Sequence, residues 1–342
     1  MVATQFGRPD DLRIGIVGVG KVAMKNYLPW LAKQNGASLY YYSRTASSAD
    51  EAVNRFGGYR TESLEELAGN HPDVIFILTN ETSHVPIARE LLKYGAKRLF
   101  IEKPLQATNG QANVTERDFF DARLLLREAR DAGVEVAMNF NYRFFEQSLN
   151  LKRLIHERNL GQLLQSTWFV HYACWSHCID LLRHFGGAVR SVSALNGERV
   201  HGTGNMGGTD IAAAFTMQTG AVGTIVGTSS SSFRLPLYHV TMNFEHGTVL
   251  FSDLDARLTL YREGASFSES FAILPDKSRW AQYDASFERS LEAYFLALRN
   301  GETPPVTGLD GLAELQFEAA LRRSAASGRA VDLEAEFPLE GD

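Results

Sequence analysis

The stretch Leu12-Arg13-Ile14-Gly15-Ile16-Val17-Gly18-Val19-Gly20-Lys21-Val22-Ala23 decides the fold. A short apolar run ends in two glycines one residue apart, and residues 21–35 follow at helical spacing. Gly18 permits a tight turn, Gly20 lets the backbone approach a pyrophosphate, and Ala23 is small enough for close helix–strand packing. The free N–H groups at a helix start favour phosphate charge. Glycine pairs are common in turns. Here the pair sits between a strand and a helix in an alternating region, so a dinucleotide is the expected ligand of Gly18, Val19, Gly20, Lys21 and Val22.

Outward from that loop, strand and helix signals alternate. Residues 38–42, 74–78, 98–101 and 134–139 read as strands, and residues 49–56, 84–94 and 118–132 as helices. This rhythm predicts a doubly wound parallel sheet with helices on both faces. Segment 106–114, polar and glycine-containing, reads as a surface excursion. From residue 162 the pattern changes to longer alternating stretches at 164–172, 212–218, 221–228, 238–244 and 248–251. Turns as short as Thr219-Gly220 and His246-Gly247 imply antiparallel pairing. The expectation is a dinucleotide-binding domain over 1–140. Behind it, 141–342 should form an α+β domain on a large open, mainly antiparallel sheet, closed by helices at 286–300 and 308–327. Alternation such as Val240, Met242 and Phe244 would leave an apolar face bare, which predicts a homodimer or homotetramer.

Bulk properties exclude more than they assign. With 342 residues, two domains are expected. A net charge of −6 argues against nucleic acid or anionic membranes as partners, since both demand a basic face. No charged segment followed by an apolar core stands at Met1, and no apolar run is long enough to cross a bilayer. Cys174 and Cys178, four positions apart, cannot make a disulfide framework, which fits a reducing, cytoplasmic setting.

The end of the second strand, Tyr42-Ser43-Arg44-Thr45, bears on cofactor choice. An acid there would accept from the ribose hydroxyls of NAD and repel the 2′-phosphate of NADP. Ser43 takes that place and Arg44 follows, a pairing that favours NADP over NAD.

At Glu102-Lys103-Pro104 the chain resembles the glucose–fructose oxidoreductase / inositol dehydrogenase / MocA family. The glycine loop, Thr79-Asn80, His84, Asn141-Tyr142-Arg143-Phe144 and His177-Cys178-Ile179-Asp180-Leu181-Leu182 carry the resemblance over nearly the whole length. It implies a Rossmann domain and a second domain whose open sheet forms subunit contacts. It implies NAD(P)-dependent hydride transfer at a sugar, polyol or sugar-derivative carbon. Cofactor contacts are then expected from Thr79, Asn80, His84, Glu102, Lys103 and Arg143, beside Ser43 and Arg44. Substrate contacts are expected from Lys103, Asn141, Tyr142, His171, Trp175, His177 and Asp180. The catalytic pair would be Lys103 and His177. Imidazole titrates near neutrality, and an ammonium stabilises a developing alkoxide.

One departure stands out. Many relatives place an aspartate four residues before the histidine, where this chain has Ala173, and the usual glycine-rich loop is missing. His171, Tyr142 or Tyr172 could replace the acid, the enzyme could work mainly as a reductase, or the machinery could be partly lost. The last leaves open a nucleotide- and sugar-binding regulatory protein of the same fold. The cluster of His171, Cys174, His177 and Cys178 matches no usual zinc spacing, so no metal is expected. The serine run 229–232 and the rings of Trp175, Phe145 and Phe233 are weaker candidates for substrate contact.

Overall fold

The computed structural model of the chain describes residues 12–230, 236–252, 257–272, 274 and 278–340. They fall into two compact units. One takes the residues up to Gln106 together with Phe120–Asn139 and Phe287–Leu312; the other takes Ala107–Phe119, Phe140–Ser286 and the residues from Ala313 onward. Phe233 and Arg234 lie outside the described residues.

The first unit is built on six parallel strands: β1 (Leu12–Val17), β2 (Ala37–Tyr42), β3 (Tyr59–Arg60), β4 (Val74–Ile77), β5 (Arg98–Glu102) and β6 (Glu135–Asn139). Their order is β3-β2-β1-β4-β5-β6. Because β1 pairs with β2 on one side and β4 on the other, the chain reverses direction across the sheet at β1. Ligands of doubly wound sheets bind at such a switch point, outside the carboxyl ends of the strands. β4 is buried along its whole length, as expected of a strand covered on both faces.

Two details differ from the periodicity. Residues 21–35 do not form one regular helix: a π-helical turn, Ala23–Tyr27, precedes a short α-helix, Leu28–Leu31. Pro29 is the cause, since it has no N–H to give and its ring displaces the carbonyl one turn back. The Leu28 N–H accordingly reaches back to Ala23 O. The second detail is a segment far along the chain. Residues 287–312 belong to this unit, where Tyr294 and Phe295 meet Phe100 (4.9 Å, edge-on) and Phe76 (6.2 Å, stacked). Tyr27 stands edge-on to Phe287 at 5.3 Å, and Met138 N–H donates to Val306 O at 3.1 Å.

The second unit carries a nine-stranded sheet. Its strands are β7 (Leu163–His171), β8 (Val189–His201), β9 (Gly208–Met217), β10 (Val222–Thr228), β11 (Tyr238–Phe244), β12 (Gly247–Ser252), β13 (Leu258–Arg262), β14 (Glu269–Phe271) and β15 (Val331–Asp332). The order is β14-β13-β12-β11-β7-β10-β9-β8-β15, antiparallel except for the central pair β7 and β10. β8, the longest strand, gave no clear alternation because six of its last seven residues are exposed.

Two expectations are corrected here. Segment 106–114 is no surface excursion: Gln106, Ala107, Gln111, Ala112 and Val114 are buried. Within the second unit Asn113 donates to Gly207 O at 2.7 Å, and Ala112 O accepts from Arg322 at 2.5 Å. Val240, Met242 and Phe244 point into the core. The open side of the sheet holds the alternate positions, among them Phe169, Leu195, Val222, Leu250 and Tyr261. No helix among the described residues is long and apolar enough to cross a membrane.

Candidate active site

The loops after β1 and β4 touch where Gly18 sits. Gly18 has φ +90°, and a Cβ built on it would meet Thr79 Cγ2 at 2.7 Å and Thr79 N at 2.9 Å. Neither the dihedral nor the space admits a side chain. Its N–H donates to Tyr42 O at 2.9 Å, tying the loop to the end of β2. Gly20 is the opposite case: no heavy atom lies within 4 Å of the position a Cβ would take. Its missing side chain leaves an open cradle against the start of the helix, where the first N–H groups lack intrahelical partners.

Around that cradle Val19 is buried, whereas Gly20, Lys21 and Val22 are exposed. Thr79 is half-buried and accepts from Ser83 Oγ at 3.2 Å, and Asn80 is exposed. Ser43 is half-buried and Arg44 exposed directly after β2, and Arg44 makes no ion pair with a described residue. Gly18 to Val22, Ser43, Arg44, Thr79 and Asn80 thus gather at one edge of the sheet. These residues fit a dinucleotide: a glycine cradle for the pyrophosphate and an uncommitted cation beside the ribose end.

His84, Glu102 and Lys103 follow a different logic. The His84 ring is fully buried, with Nδ1 2.8 Å from Pro104 O and Nε2 3.0 Å from Thr79 O. It ties the turn after β5 to the turn after β4. Burial pushes its pKa down, against the pull of those carbonyls and of Glu102. The Glu102 carboxylate accepts from the Tyr27 hydroxyl, from Asn139 Nδ2 at 3.3 Å and from the Lys103 N–H at 2.8 Å. Ser290 Oγ in turn donates to Asn139 Oδ1 at 2.8 Å. Glu102 therefore fixes the end of β5, from which half-buried Lys103 departs. Sequence reasoning missed Tyr27, Asn139 and Ser290, since no spacing links them.

In the second unit His177 lies in the first turn of the helix Trp175–Gly186. The Tyr142 ring stacks on its imidazole, with centroids 3.9 Å apart and planes 6° from parallel. The Tyr142 hydroxyl lies 3.2 Å from Cys174 Sγ, and burial pushes its pKa well up, so it stays protonated. Asn141 donates to Ser286 Oγ at 2.7 Å. Arg143 grips Asp180 with two donors, at 2.8 and 2.5 Å, and Asp180 is wholly buried. These two residues, expected on cofactor and substrate respectively, bind each other and hold the turn Asn141–Phe144 to the His177 helix.

His171 Nδ1 accepts from the Ala173 N–H at 3.0 Å, and burial lowers its pKa, so it stands as a neutral cap. Trp175 departs most from expectation. It is 1% exposed and packs edge-on to Tyr172 at 5.4 Å. A Cβ on Gly227 would meet its ring at 2.7 Å. Phe145 is buried edge-on to Tyr142 at 4.6 Å. Among the described residues, no group of three or more His, Cys, Asp or Glu side chains could hold a metal ion.

The two glycines separate by experiment. Gly18→Ala should destabilise the fold by at least about 1–2 kcal/mol, the cost of a left-handed conformation, with the Thr79 clash added. Gly20→Ala should leave the melting temperature unchanged while weakening dinucleotide binding. Thermal melts with and without cofactor check both; equal melting points for the two variants would contradict the assignment.

Comparison with known proteins agrees with this geometry. Residues 12–140 match the family described as "Oxidoreductase family, NAD-binding Rossmann fold". The scyllo-inositol 2-dehydrogenase (NAD(+)) of Bacillus subtilis is 21% identical over 97% of this chain and 99% of its own length. Three other curated relatives, 26–30% identical, align over only 40–41% of their own length. A levoglucosan dehydrogenase solved with NADH and levoglucosan superposes with a TM-score of 0.76 at 17% identity, covering 94% of this chain and 99% of that one. A super-repressor mutant of Gal80p from Saccharomyces cerevisiae superposes with a TM-score of 0.79 at 14% identity, covering 97% and 100%. The glycine cradle at the switch point of the parallel sheet and the Glu102-Lys103-Pro104 turn after β5 both lie within residues 12–140, the part of the chain that matches this family of NAD-binding oxidoreductases.

Proposed function

We propose that the chain is an NAD(P)-dependent dehydrogenase or reductase of a sugar, polyol or sugar derivative, working in the cytoplasm. The observation that carries this reading is the open position at Gly20 after β1, in the same sheet from which Lys103 leaves β5 at a point fixed by the Glu102 contacts. The full-length likeness to an inositol dehydrogenase supports the substrate class. Bound nicotinamide supplies the hydride acceptor or donor. Lys103 stabilises charge on the substrate oxygen, and His177 takes or returns the hydroxyl proton. Tyr142 orients the imidazole, and Arg143 with Asp180 anchors the helix that carries it. Of the residues considered in place of the missing acid, His171 is held as a neutral cap, Tyr142 is protonated and the Tyr172 hydroxyl donates to Thr209 O, while Asp180 is engaged by Arg143. That favours the reductive direction, in which the imidazolium gives up a proton.

NADP(H) is the preferred cofactor in this reading, supported by the exposed Arg44 after Ser43. The second reading, a regulatory protein that binds nucleotide and sugar without turnover, is favoured by Ala173, whose backbone caps onto His171 where relatives carry an acid. The open side of the large sheet supports a homodimer or homotetramer. Its register aligns Leu195, Ala212, Val226, Phe169, His239 and Ser252 across six strands with no carboxylate, lysine or arginine among them.

Three outcomes are expected. Cofactor titration should show tighter binding of NADPH than NADH, and Arg44→Ala should cost NADPH about 1.5–3 kcal/mol while leaving NADH unchanged; wild-type preference for NADH would refute the cofactor choice. Against a panel of polyols, sugars and nucleotide sugars, Lys103→Met and His177→Ala should each slow the chemical step about 10²–10⁴-fold with cofactor affinity retained. Undiminished rates in both variants would end the proposed mechanism, and cofactor binding with no turnover on any substrate would select the regulatory reading. Light scattering should give two or four times the 38.0 kDa chain mass, and Phe169→Glu should reduce it to one. A wild-type monomer at micromolar concentration would contradict the assembly.

A further inference from the structure

The open face of the nine-stranded sheet is built so that it can leave water. Beside the uncharged row of Leu195, Ala212, Val226, Phe169, His239 and Ser252, its polar side chains bond one another. Thr248 Oγ1 donates to Asn243 Oδ1 at 2.8 Å, Asn243 Nδ2 to Gln165 Oε1 at 2.6 Å, and Gln165 Nε2 to Thr167 Oγ1 at 2.8 Å. Thr224 Oγ1 donates to Thr167 Oγ1 at 3.4 Å, and Ser191 and Thr216 join their hydroxyls at 2.7 Å. Groups paired in this way can be covered without stranding a donor or acceptor. On a face that stayed wet, water would serve them equally well.

The face is also lopsided, and that points to a second copy of this chain as its cover. Over β7 and β11 to β13 it is bulky, with Phe169, His239, Leu250 and Tyr261 exposed. Over β8 to β10 it is small, and Ser193, Leu195, Ala212, Ala214, Thr224 and Val226 line a hollow of about 580 Å³. Arg329 at the rim of that hollow is held by Glu336. A copy turned about a two-fold axis along the central strands lays each bulky half over the other's small half, the self-complementary fit an isologous dimer requires. In the row of His239, the central pair is Val226 and Phe169, with Ala212 on one side and His239 on the other. His239 of one copy thereby comes over the hollow at Ala212 of the next.

We propose that His239 gates this assembly by its charge: copies join while the imidazole is neutral and part when it takes a proton. Imidazole is the side chain that changes charge between about pH 5 and 8. His239 makes no hydrogen bond or ion pair with a described residue. Phe169 stands opposite it on β7, with Thr167 and His171 diagonal; Ser252 stands opposite on β12, with Leu250 diagonal. His171 is the neutral cap, its pKa lowered by burial. Beyond Ser252, exposed Arg257 precedes β13, and a second cation cannot offset a first. On the covering side Asp210, two residues before Ala212, already accepts from Thr228 Oγ1 at 2.7 Å and faces His201 Nε2 at 3.6 Å. A proton on His239 is therefore covered without a counter-charge, which costs the assembled state and not the free chain. The assembly binds fewer protons than its separate copies, so association is full at alkaline pH and declines as pH falls through the imidazole range. The gate rests on the proposed homo-oligomer and is independent of the proposed catalysis.

Light scattering of the full chain between about pH 8 and about pH 5.5, over a range of protein concentrations, tests the gate. The wild-type mass should halve as pH falls, its dissociation constant rising on the order of tenfold per pH unit for each imidazole. His239→Gln should stay assembled across the range, and His239→Lys should show the halved mass even at the alkaline end. The side chain is exposed in a single copy, so both variants should keep the wild-type circular dichroism. A wild type that stays assembled at every pH would overturn the gate and leave the homo-oligomer standing; a wild type monomeric at every pH would remove both. Acid dissociation that persists in His239→Gln, or His239→Lys assembling as tightly as wild type at the alkaline end, would also overturn the gate. The readout uses no NAD(P)-linked turnover, so failure to find a substrate would remove the proposed activity and leave this result in place.

Discussion

The contact between Gly18 and Thr79 is the constraint from which the first unit is organised. Two strands that neighbour each other in the sheet end in turns pressed so closely that no Cβ fits between them. That closeness holds the β1 and β4 turns together at the reversal of strand order. It leaves Gly20 facing open space at a helix start, where phosphate charge is stabilised by free N–H groups. His84 extends the same brace by engaging the Thr79 and Pro104 carbonyls with its two ring nitrogens. The lysine turn after β5 is thereby tied to the nucleotide turn after β4. Tyr27, from the turn distorted by Pro29, completes the frame through Glu102.

In the second unit, precision at His177 comes from groups that are themselves committed. The imidazole is flanked by a stacked phenol, and its helix is pinned by an ion pair buried deeply enough that losing one partner would strand a charge. In the proposed role His177 exchanges a proton among neighbours that do not. Tyr142 is held protonated, His171 is held neutral, and Asp180 is neutralised by Arg143.

Only part of this was legible in the chain. Residues 12–23, the apolar runs of β2, β4 and β5, and the alternation of β9 to β12 are local patterns, and each formed the element its period implies. The glycine loop was readable because its function is a backbone property, fixed by which residue lacks a Cβ. Lys103 and His177, the proposed catalytic pair, were singled out by short motifs around them. Strands β3 and β15, two residues each, and β14, three residues long, carry no period to read.

Tertiary structure decided what depends on partners remote in sequence. Trp175 looked like a platform for a sugar and is instead a buried strut, because Gly227 on β10 gives its ring room to lie against the strand. Arg143 and Asp180 looked like ligand contacts and bind each other across 37 positions. Segment 106–114 looked polar enough for the surface and is buried, because Arg322 and Gly207 supply the partners its backbone and side chains need. The sequence by itself determined which elements form and which backbone positions can face a phosphate, since both follow from local sterics. Which charges are spent on structure and which are left for chemistry was decided only when distant side chains met, since a buried polar group takes its role from the nearest group able to satisfy it.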